Sequence, residues 1–312
     1  MRFLGVGEPL AEFTSRADSP SVFHRRAGGD TLNSAIYLSR LMPAGSVGYL
    51  SRLGDDAMSR WLRQVMADDG IEDFCETQEG ARPGLSFIST DAQGERSFTY
   101  WRDQAPARRM LQDSSTAAEI LSSAETVFLS GITLAVLLPE SRDQMFAVLR
   151  HRHRAGLATV LDTNYRPILW PDATTAAQVM GRAAALASLV LPSQDDMEAA
   201  FGCADAKASI NRLTALTKAE IVLTTGGDAV LHRPGGQDRV DQYALPPKVA
   251  ATDTTGAGDS FNAGWIASRA CGMTPADAIA RAARLAGTVV QHPGAVIPRE
   301  AMPDLTNSKD PA

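Results

Sequence analysis

Asp253-Thr254-Thr255-Gly256-Ala257-Gly258-Asp259-Ser260-Phe261 places an acid directly behind a glycine turn at the start of a helix. Gly256 and Gly258 can take positive φ and lack a β-carbon, so successive backbone N–H groups can converge on an anion. Behind them Phe261, Gly264, Trp265, Ile266 and Ala270 recur at helical spacing, and Gly272 marks a C-terminal stop. The turn thus sits on the positive end of a helix dipole, where phosphate oxygens are favoured. Asp259 follows within a residue, placed to take a proton from an attacking hydroxyl. The dipole is expected to lower its pKa and make it a weak base, which phosphoryl transfer tolerates because the attacking oxygen gives up its proton late. A lone Gly-x-Gly-Asp is more simply a capped turn. The whole string favours phosphoryl transfer.

A second glycine element lies far upstream, in Gly28-Gly29-Asp30-Thr31-Leu32-Asn33. Ala35, Leu38, Leu41 and Met42 give the following helix its apolar face. Gly29 lets backbone approach a ligand, and Asp30 and Asn33 offer polar groups near the helix start.

Composition fits an ordinary globular enzyme: 312 residues, 44% hydrophobic and 21% charged, can bury a large core. A net charge of −6 argues against a general nucleic-acid binder. No apolar run approaches the roughly 18 residues of a membrane span, and Met1 to Gly7 reads as a buried strand rather than a signal peptide. Cys75, Cys203 and Cys271 lack metal-ligand spacing, which favours reduced thiols and a cytoplasmic setting. His151-Arg152-His153-Arg154 reads as a solvated helix end.

Short β-rich runs alternate with helical stretches, the pattern of an α/β fold whose mostly parallel central sheet is covered on both faces. The spacing predicts strands at Phe3 to Gly7, Val47 to Leu50, Thr126 to Leu129, Thr159 to Leu161, Leu189 to Leu191 and Ile221 to Thr224. Helices are predicted at Thr31 to Leu41, Met58 to Asp69, Arg142 to Arg154, Ala176 to Ala187, Pro275 to Gln291 and after Gly258. Asp162, Ser193 and Thr225 fall just beyond strands, where ligands gather in such sheets. Leu85 to Thr90 and Arg96 to Trp101 read as a hairpin about Asp91-Ala92-Gln93-Gly94. With Ala11 to Thr14 and Val22 to Arg26 they are expected to form a small antiparallel sheet, a lid over the site.

No Gly-x-x-x-x-Gly-Lys-Ser/Thr string occurs, so this is not a P-loop enzyme. Gly5-Val6-Gly7-Glu8 lacks the third glycine of a dinucleotide fold. Two arginines bear on the substrate. Arg102 ends a lid strand on the same face as Tyr100, and Arg166 follows a core strand in Asp162-Thr163-Asn164-Tyr165-Arg166. A guanidinium holds a carboxylate with two hydrogen bonds, a partner that a neutral sugar lacks.

Gly28 to Asn33, Pro83-Gly84-Leu85, Gly94 to Arg102, Ser130-Gly131-Ile132, Asp162 to Pro167 with Leu169-Trp170, Asp253 to Phe261 and Gly294 to Glu300 occur in one order. In these segments, and over nearly all of its length, the chain resembles the ribokinase-like, or PfkB, carbohydrate kinases, most of all those acting on 2-keto-3-deoxygluconate. The resemblance implies one kinase domain over residues 1–312: a three-layer α/β/α sandwich with a β lid from roughly 10–30 and 72–103, often paired with a second subunit's lid. An apolar lid face with Leu85, Phe87 or Phe98 gives a homodimer or higher homo-oligomer a reason to form.

It also implies ATP-dependent phosphorylation of the keto acid's 6-hydroxyl, with a neutral ketose such as fructose, or sugar binding without catalysis, as the alternatives. Asp259 is then the base, and the Gly256, Ala257 and Gly258 amides hold the transferring phosphoryl. Gly29, Asp30 and Asn33 approach the sugar hydroxyls, and Arg102 and Arg166 the keto acid end, with Tyr100 packing nearby. Asn164, Ser193, Thr224, Thr225, Gly226 and Gly227 fall to the nucleotide, with the loop His292-Pro293-Gly294-Ala295. Asp196 falls to magnesium through water, and Asp253 and Thr255 to a monovalent cation such as potassium or simply to capping the turn. Ser193 stands where many members carry asparagine, and Ser86 where related kinases often carry tyrosine.

Overall fold

The structure is a computed structural model, and it describes residues 2–16, 19–90 and 96–305. Along the chain, β1 (Phe3–Val6), β2 (Leu10–Arg16) and β3 (Ser19–Gly28) run into α1 (Asp30–Leu41). Strands β4 (Val47–Leu50) and β5 (Arg52–Leu53) precede α2 (Ala57–Asp68), and the short β6 (Glu72–Asp73) and β7 (Glu76–Thr77) lead to β8 (Gly84–Thr90) and β9 (Arg96–Trp101). Next come α3 (Ser115–Ser123), β10 (Thr126–Ser130), α4 (Gly131–Val136), α5 (Pro139–Arg154), β11 (Ala158–Asp162) and α6 (Ala173–Ala184). The remainder is β12 (Leu189–Leu191), α7 (Gln194–Phe201), α8 (Ala206–Thr214), β13 (Glu220–Thr224), β14 (Ala229–Arg233), β15 (Asp241–Ala244), α9 (Ala257–Ala270) and α10 (Pro275–Val289).

Nine strands form one sheet in the order β15-β14-β13-β12-β11-β10-β1-β4-β6. From β6 to β13 all neighbours are parallel, and β14 and β15 add an antiparallel edge. The parallel strands are hydrophobic runs because both faces are covered. Leu4, Val127, Leu161 and Ile221 pack with helices α3 to α8 on one side; Phe3, Phe128, Val160 and Val222 pack with α1, α2, α9 and α10 on the other. This is the expected three-layer α/β/α sandwich. Sequence reading missed the β14–β15 edge, and with it α3, α4, α7 and α8.

The second sheet runs β3-β2-β8-β9. It is mixed, which corrects the antiparallel expectation: β2 pairs with β3 and β8 with β9 antiparallel, but β2 and β8 run parallel. Two strands whose connection passes through the main domain need not run as a hairpin does. The turn expected at 91–94 lies outside the described residues. Residues 72–83 contribute no strand to this sheet, since β6 joins the main sheet and β7 pairs with β5.

Alternation gives the small sheet two unlike faces. Glu12, Ser86, Tyr100 and Arg102 look toward the strand ends of the main sheet, while Phe13, Phe87 and Trp101 look away. The outward rings form a stack: Phe13 lies 5.3 Å from Phe87, and Phe87 lies 4.8 Å from Trp101, centroid to centroid. Trp101 is 64% exposed and Phe23, edge-on to Phe87, is 43% exposed. The Phe98 side chain lies outside the described residues.

One basic expectation is overturned. Arg152 is fully buried, not solvated, and donates to the carbonyls of Leu121, Ala124, Glu125 and Ala158. It gathers the ends of neighbouring elements, and burial pulls its pKa down to about 10. His151, His153 and Arg154 are exposed as expected. Cys75 and Cys203 are buried and Cys271 exposed, all as free thiols. No helix among the described residues is long and apolar enough to cross a membrane.

Candidate active site

Helix α9 opens at Gly256, which takes φ 79 and ψ 1. A β-carbon there would meet the Ala295 carbonyl oxygen at 2.4 Å, so the turn packs backbone against backbone on the 294–295 loop. Asp253 fastens the same junction: Oδ1 accepts from the Thr255 N–H and hydroxyl at 3.0 and 2.7 Å, and Oδ2 accepts from the Gly294 N–H at 2.8 Å. Those bonds give Asp253 and Thr255 a capping role. Gly258 is helical rather than left-handed, and the space where its β-carbon would stand is open. The Gly258 and Asp259 amides belong to the first turn, where N–H groups have no intrahelical partner. The Ala257 N–H is turned to the Thr254 carbonyl over a long 3.3 Å.

Asp259 is buried beside this open first turn and accepts from Asn33 Nδ2 at 2.8 Å, while its carbonyl accepts from the Ser34 hydroxyl. The two glycine elements, 226 residues apart in the case of this bond, therefore meet. Gly29 makes the meeting possible: at φ 117, any β-carbon would strike the Glu8 carbonyl oxygen at 2.4 Å.

The expected sign of the Asp259 pKa is overturned. Burial, reinforced by the Asp30 charge, raises it from 3.8 to about 7, against the opposing pull of the Asn33 hydrogen bond and the Arg166 charge. Desolvation of a carboxylate outweighs the half-charge of one helix end. Asp259 is consequently a competent base near neutrality.

Across from it lies a group of acids. Asp162 is pushed well up by burial, then by Asp30, Asp196 and Asp259. Burial likewise raises Asp196, which accepts from the Thr163 hydroxyl at 2.8 Å and the Tyr165 N–H at 3.1 Å. Asn164 ties the group together, donating its N–H to Asp162 and Nδ2 to Asp30 at 2.9 Å, and it holds φ 23 to do so. A non-glycine residue in that region is costly and persists where several contacts fix it. Arg166 is exposed at the rim, and its charge reaches Asp196, Asp259 and Tyr100. Among the described residues no three carboxylates, histidines or cysteines are close enough to hold a metal ion alone. Mutually repelling acids without a closed cage suit a cation that keeps its water and binds phosphate, as magnesium does.

Arg102 is placed otherwise than a free carboxylate clamp. It is buried, with Nε and Nη2 on Glu8 Oε2 at 3.0 and 2.5 Å, and its guanidinium lies 5.6 Å from the Tyr100 ring. Burial raises the Glu8 pKa against the pull of Arg102, and Glu8 Oε1 has no hydrogen-bond partner among the described residues. Glu8 was missed by the sequence reading, where it appeared only in the Gly5-Val6-Gly7-Glu8 string that excludes a dinucleotide fold. One polar residue after a strand carries no further signal.

Of the residues expected for the nucleotide, Ser193 caps α7 by accepting from the Asp196 N–H. Thr224 ends β13 and bridges to Ser193, and the Thr225 hydroxyl bonds both the N–H and carbonyl of Ala229. Gly226 and Gly227, both at positive φ, make the β13–β14 turn. These residues stand at the strand ends, farther along the sheet than the acids.

A buried carboxylate behind a glycine turn at a helix start, facing a small second sheet, is the arrangement expected of a phosphotransferase of the sugar-kinase kind. The chain belongs to the pfkB family of carbohydrate kinases, which it matches over residues 6–302. It is 36% identical over 304 residues to a 2-dehydro-3-deoxygluconokinase of Escherichia coli strain K12, covering 96% of this chain and 97% of that one. A fructokinase of Klebsiella pneumoniae is 30% identical over 260 residues, covering 83% of this chain and 82% of that one. In fold the chain is similar to a fructokinase with bound ATP from Xylella fastidiosa, with TM-score 0.80, 24% identity, and coverage of 98% of this chain and 96% of that one.

Proposed function

We propose that the protein uses ATP to phosphorylate the 6-hydroxyl of 2-keto-3-deoxygluconate, also called 2-dehydro-3-deoxygluconate. The observation that carries the reaction class is Asp259, buried at the opening of α9, raised to about 7 and oriented by Asn33. The hydroxyl gives its proton to Asp259 as its oxygen attacks the terminal phosphorus of ATP; ADP leaves. The Gly258 amide, with that of Gly256, stabilises charge on the transferring phosphoryl, and the Ala257 amide joins them if its long bond to the Thr254 carbonyl is released. Asp196, with Asp162 beside it, would hold magnesium through water, and bound there the ion would neutralise polyphosphate charge. Lid closure excludes water from the phosphoryl group.

The substrate choice is supported by the 36% identity to the Escherichia coli enzyme and by the two arginines. Glu8 occupies one edge of the Arg102 guanidinium, fixing the other edge for a carboxylate, and Arg166 stands at the rim. Gly29, Asp30 and Asn33 would receive the hydroxyls, with Tyr100 over the sugar. The test is ADP release with magnesium and ATP, comparing the keto acid with fructose, ribose and the galactonate epimer. Strong preference for a neutral sugar would overturn the carboxylate assignment but leave Asp259 as base. For the preferred substrate, kcat/KM should climb with pH and level off above about 7 as Asp259 loses its proton. A profile flat from pH 5 to 9 would remove Asp259 from that role.

We further propose a dimer through the outward aromatic face of the small sheet, whose Trp101 and Phe23 would otherwise remain in water. Trp101→Glu should shift the sedimenting mass toward the monomer. A monomeric parent chain would exclude the assembly.

A further inference from the structure

Arg26 lies on β3 opposite Glu12, and Glu12 lies opposite Ser86, the register partner of Tyr100. Cross-strand partners share a face, so Arg26 is on the inner side of the small sheet, with Tyr100. Its side chain reaches away from the sugar elements to the loop after α10. A β-carbon on Gly294 would stand 2.0 Å from Arg26 Nη1 and 3.0 Å from Cζ, so the guanidinium presses its Nη1 end against that glycine. Gly294 donates to Asp253, and the adjoining Ala295 packs on Gly256. The guanidinium thus stands one contact from the anion turn.

Its surroundings leave its charge uncommitted. Arg102 is spent on Glu8, and Arg25 lies over the Trp61 ring at 4.1 Å. The Arg26 side chain, half-buried, makes neither a hydrogen bond nor an ion pair with another described residue. A half-buried guanidinium against the loop that packs on a helix start suits a polyphosphate, which accepts several of its N–H groups at once.

We propose that Arg26 is a phosphate-contacting residue of the nucleotide site, carried to ATP by the lid strand. The inference rests on the kinase reading above and adds a residue to it. Strand β3 passes through Gly28 and Gly29 into α1, which bears Asn33, so a phosphate contact at Arg26 ties ATP occupancy to the sugar-binding elements.

The test is calorimetric binding of ATP and of adenosine to the parent chain, Arg26→Ala and Arg26→Lys, each checked for an unchanged thermal midpoint. Arg26→Ala should weaken ATP about tenfold or more, leave adenosine unchanged, and be partly restored by Arg26→Lys. Unchanged ATP affinity would overturn the proposal. So would equal losses for ATP and adenosine, which would make Arg26 a packing residue of the 294–295 loop. A parent chain that binds no ATP would overturn the kinase reading itself, an outcome visible before any variant is measured.

Discussion

Asp259→Asn is expected to keep the fold and lose roughly 10²- to 10⁴-fold in turnover, the range typical for removal of a general base. The amide retains a carbonyl oxygen for the Asn33 Nδ2 group and differs little in volume, so the loss falls on proton transfer rather than on geometry. Stability should move the other way. The native carboxyl titrates at about 7 against 3.8 for an unperturbed group, so its contribution is fully favourable below about 3.8 and is lost as pH rises through 7. Above pH 7 the folded chain carries a charge that it holds poorly, at a cost of up to about 4 kcal/mol. An uncharged asparagine avoids that cost. The variant should therefore melt above the parent at pH 8, with the advantage fading toward pH 4. Near-normal turnover would sink the base assignment, and a lower melting temperature at pH 8 would show that Asp259 is not held against its charge.

The sign of this pKa shows where sequence reading stops. The nine-residue string reveals a helix start and therefore a dipole, but burial and the nearness of Asp30 arise from contacts between segments far apart in the chain. The parallel strands were legible because sheets covered on both faces demand continuous apolar runs, as in Thr126 to Leu129 and Ile221 to Thr224. β15 was not, because Asp241–Ala244 is a polar, partly exposed edge. β14 escaped because Ala229–Arg233 is a short run, and Gly226-Gly227, open to reading as a hairpin turn or a nucleotide loop, did not by itself call for a strand behind it. Arg152 looked like one more solvated cation; only the chain path brings several carbonyls to it. Gly29, Asn33 and Asp259 were read together through the resemblance to the kinase family, and the Asn33–Asp259 hydrogen bond brings their two segments into contact.

Arg102→Ala should reduce kcat/KM for the keto acid by about 10²-fold while changing turnover of a neutral ketose little, since a charge-assisted pair of hydrogen bonds accounts for that difference. The variant alone is ambiguous, because Arg102 also neutralises Glu8, whose side chain is 1% exposed. Removing one partner of a buried ion pair costs about 3–5 kcal/mol by stranding the other charge. Glu8 lessens this by taking up a proton, as its raised pKa allows, so the loss of stability should be larger at pH 8 than at pH 5. The double variant Glu8→Gln with Arg102→Ala separates the roles, because it leaves no stranded charge. Thermal midpoints should recover in the double variant while selectivity for the keto acid stays lost. Recovery of both would make Arg102 a structural partner of Glu8 and leave Arg166 as the residue that recognises the carboxylate.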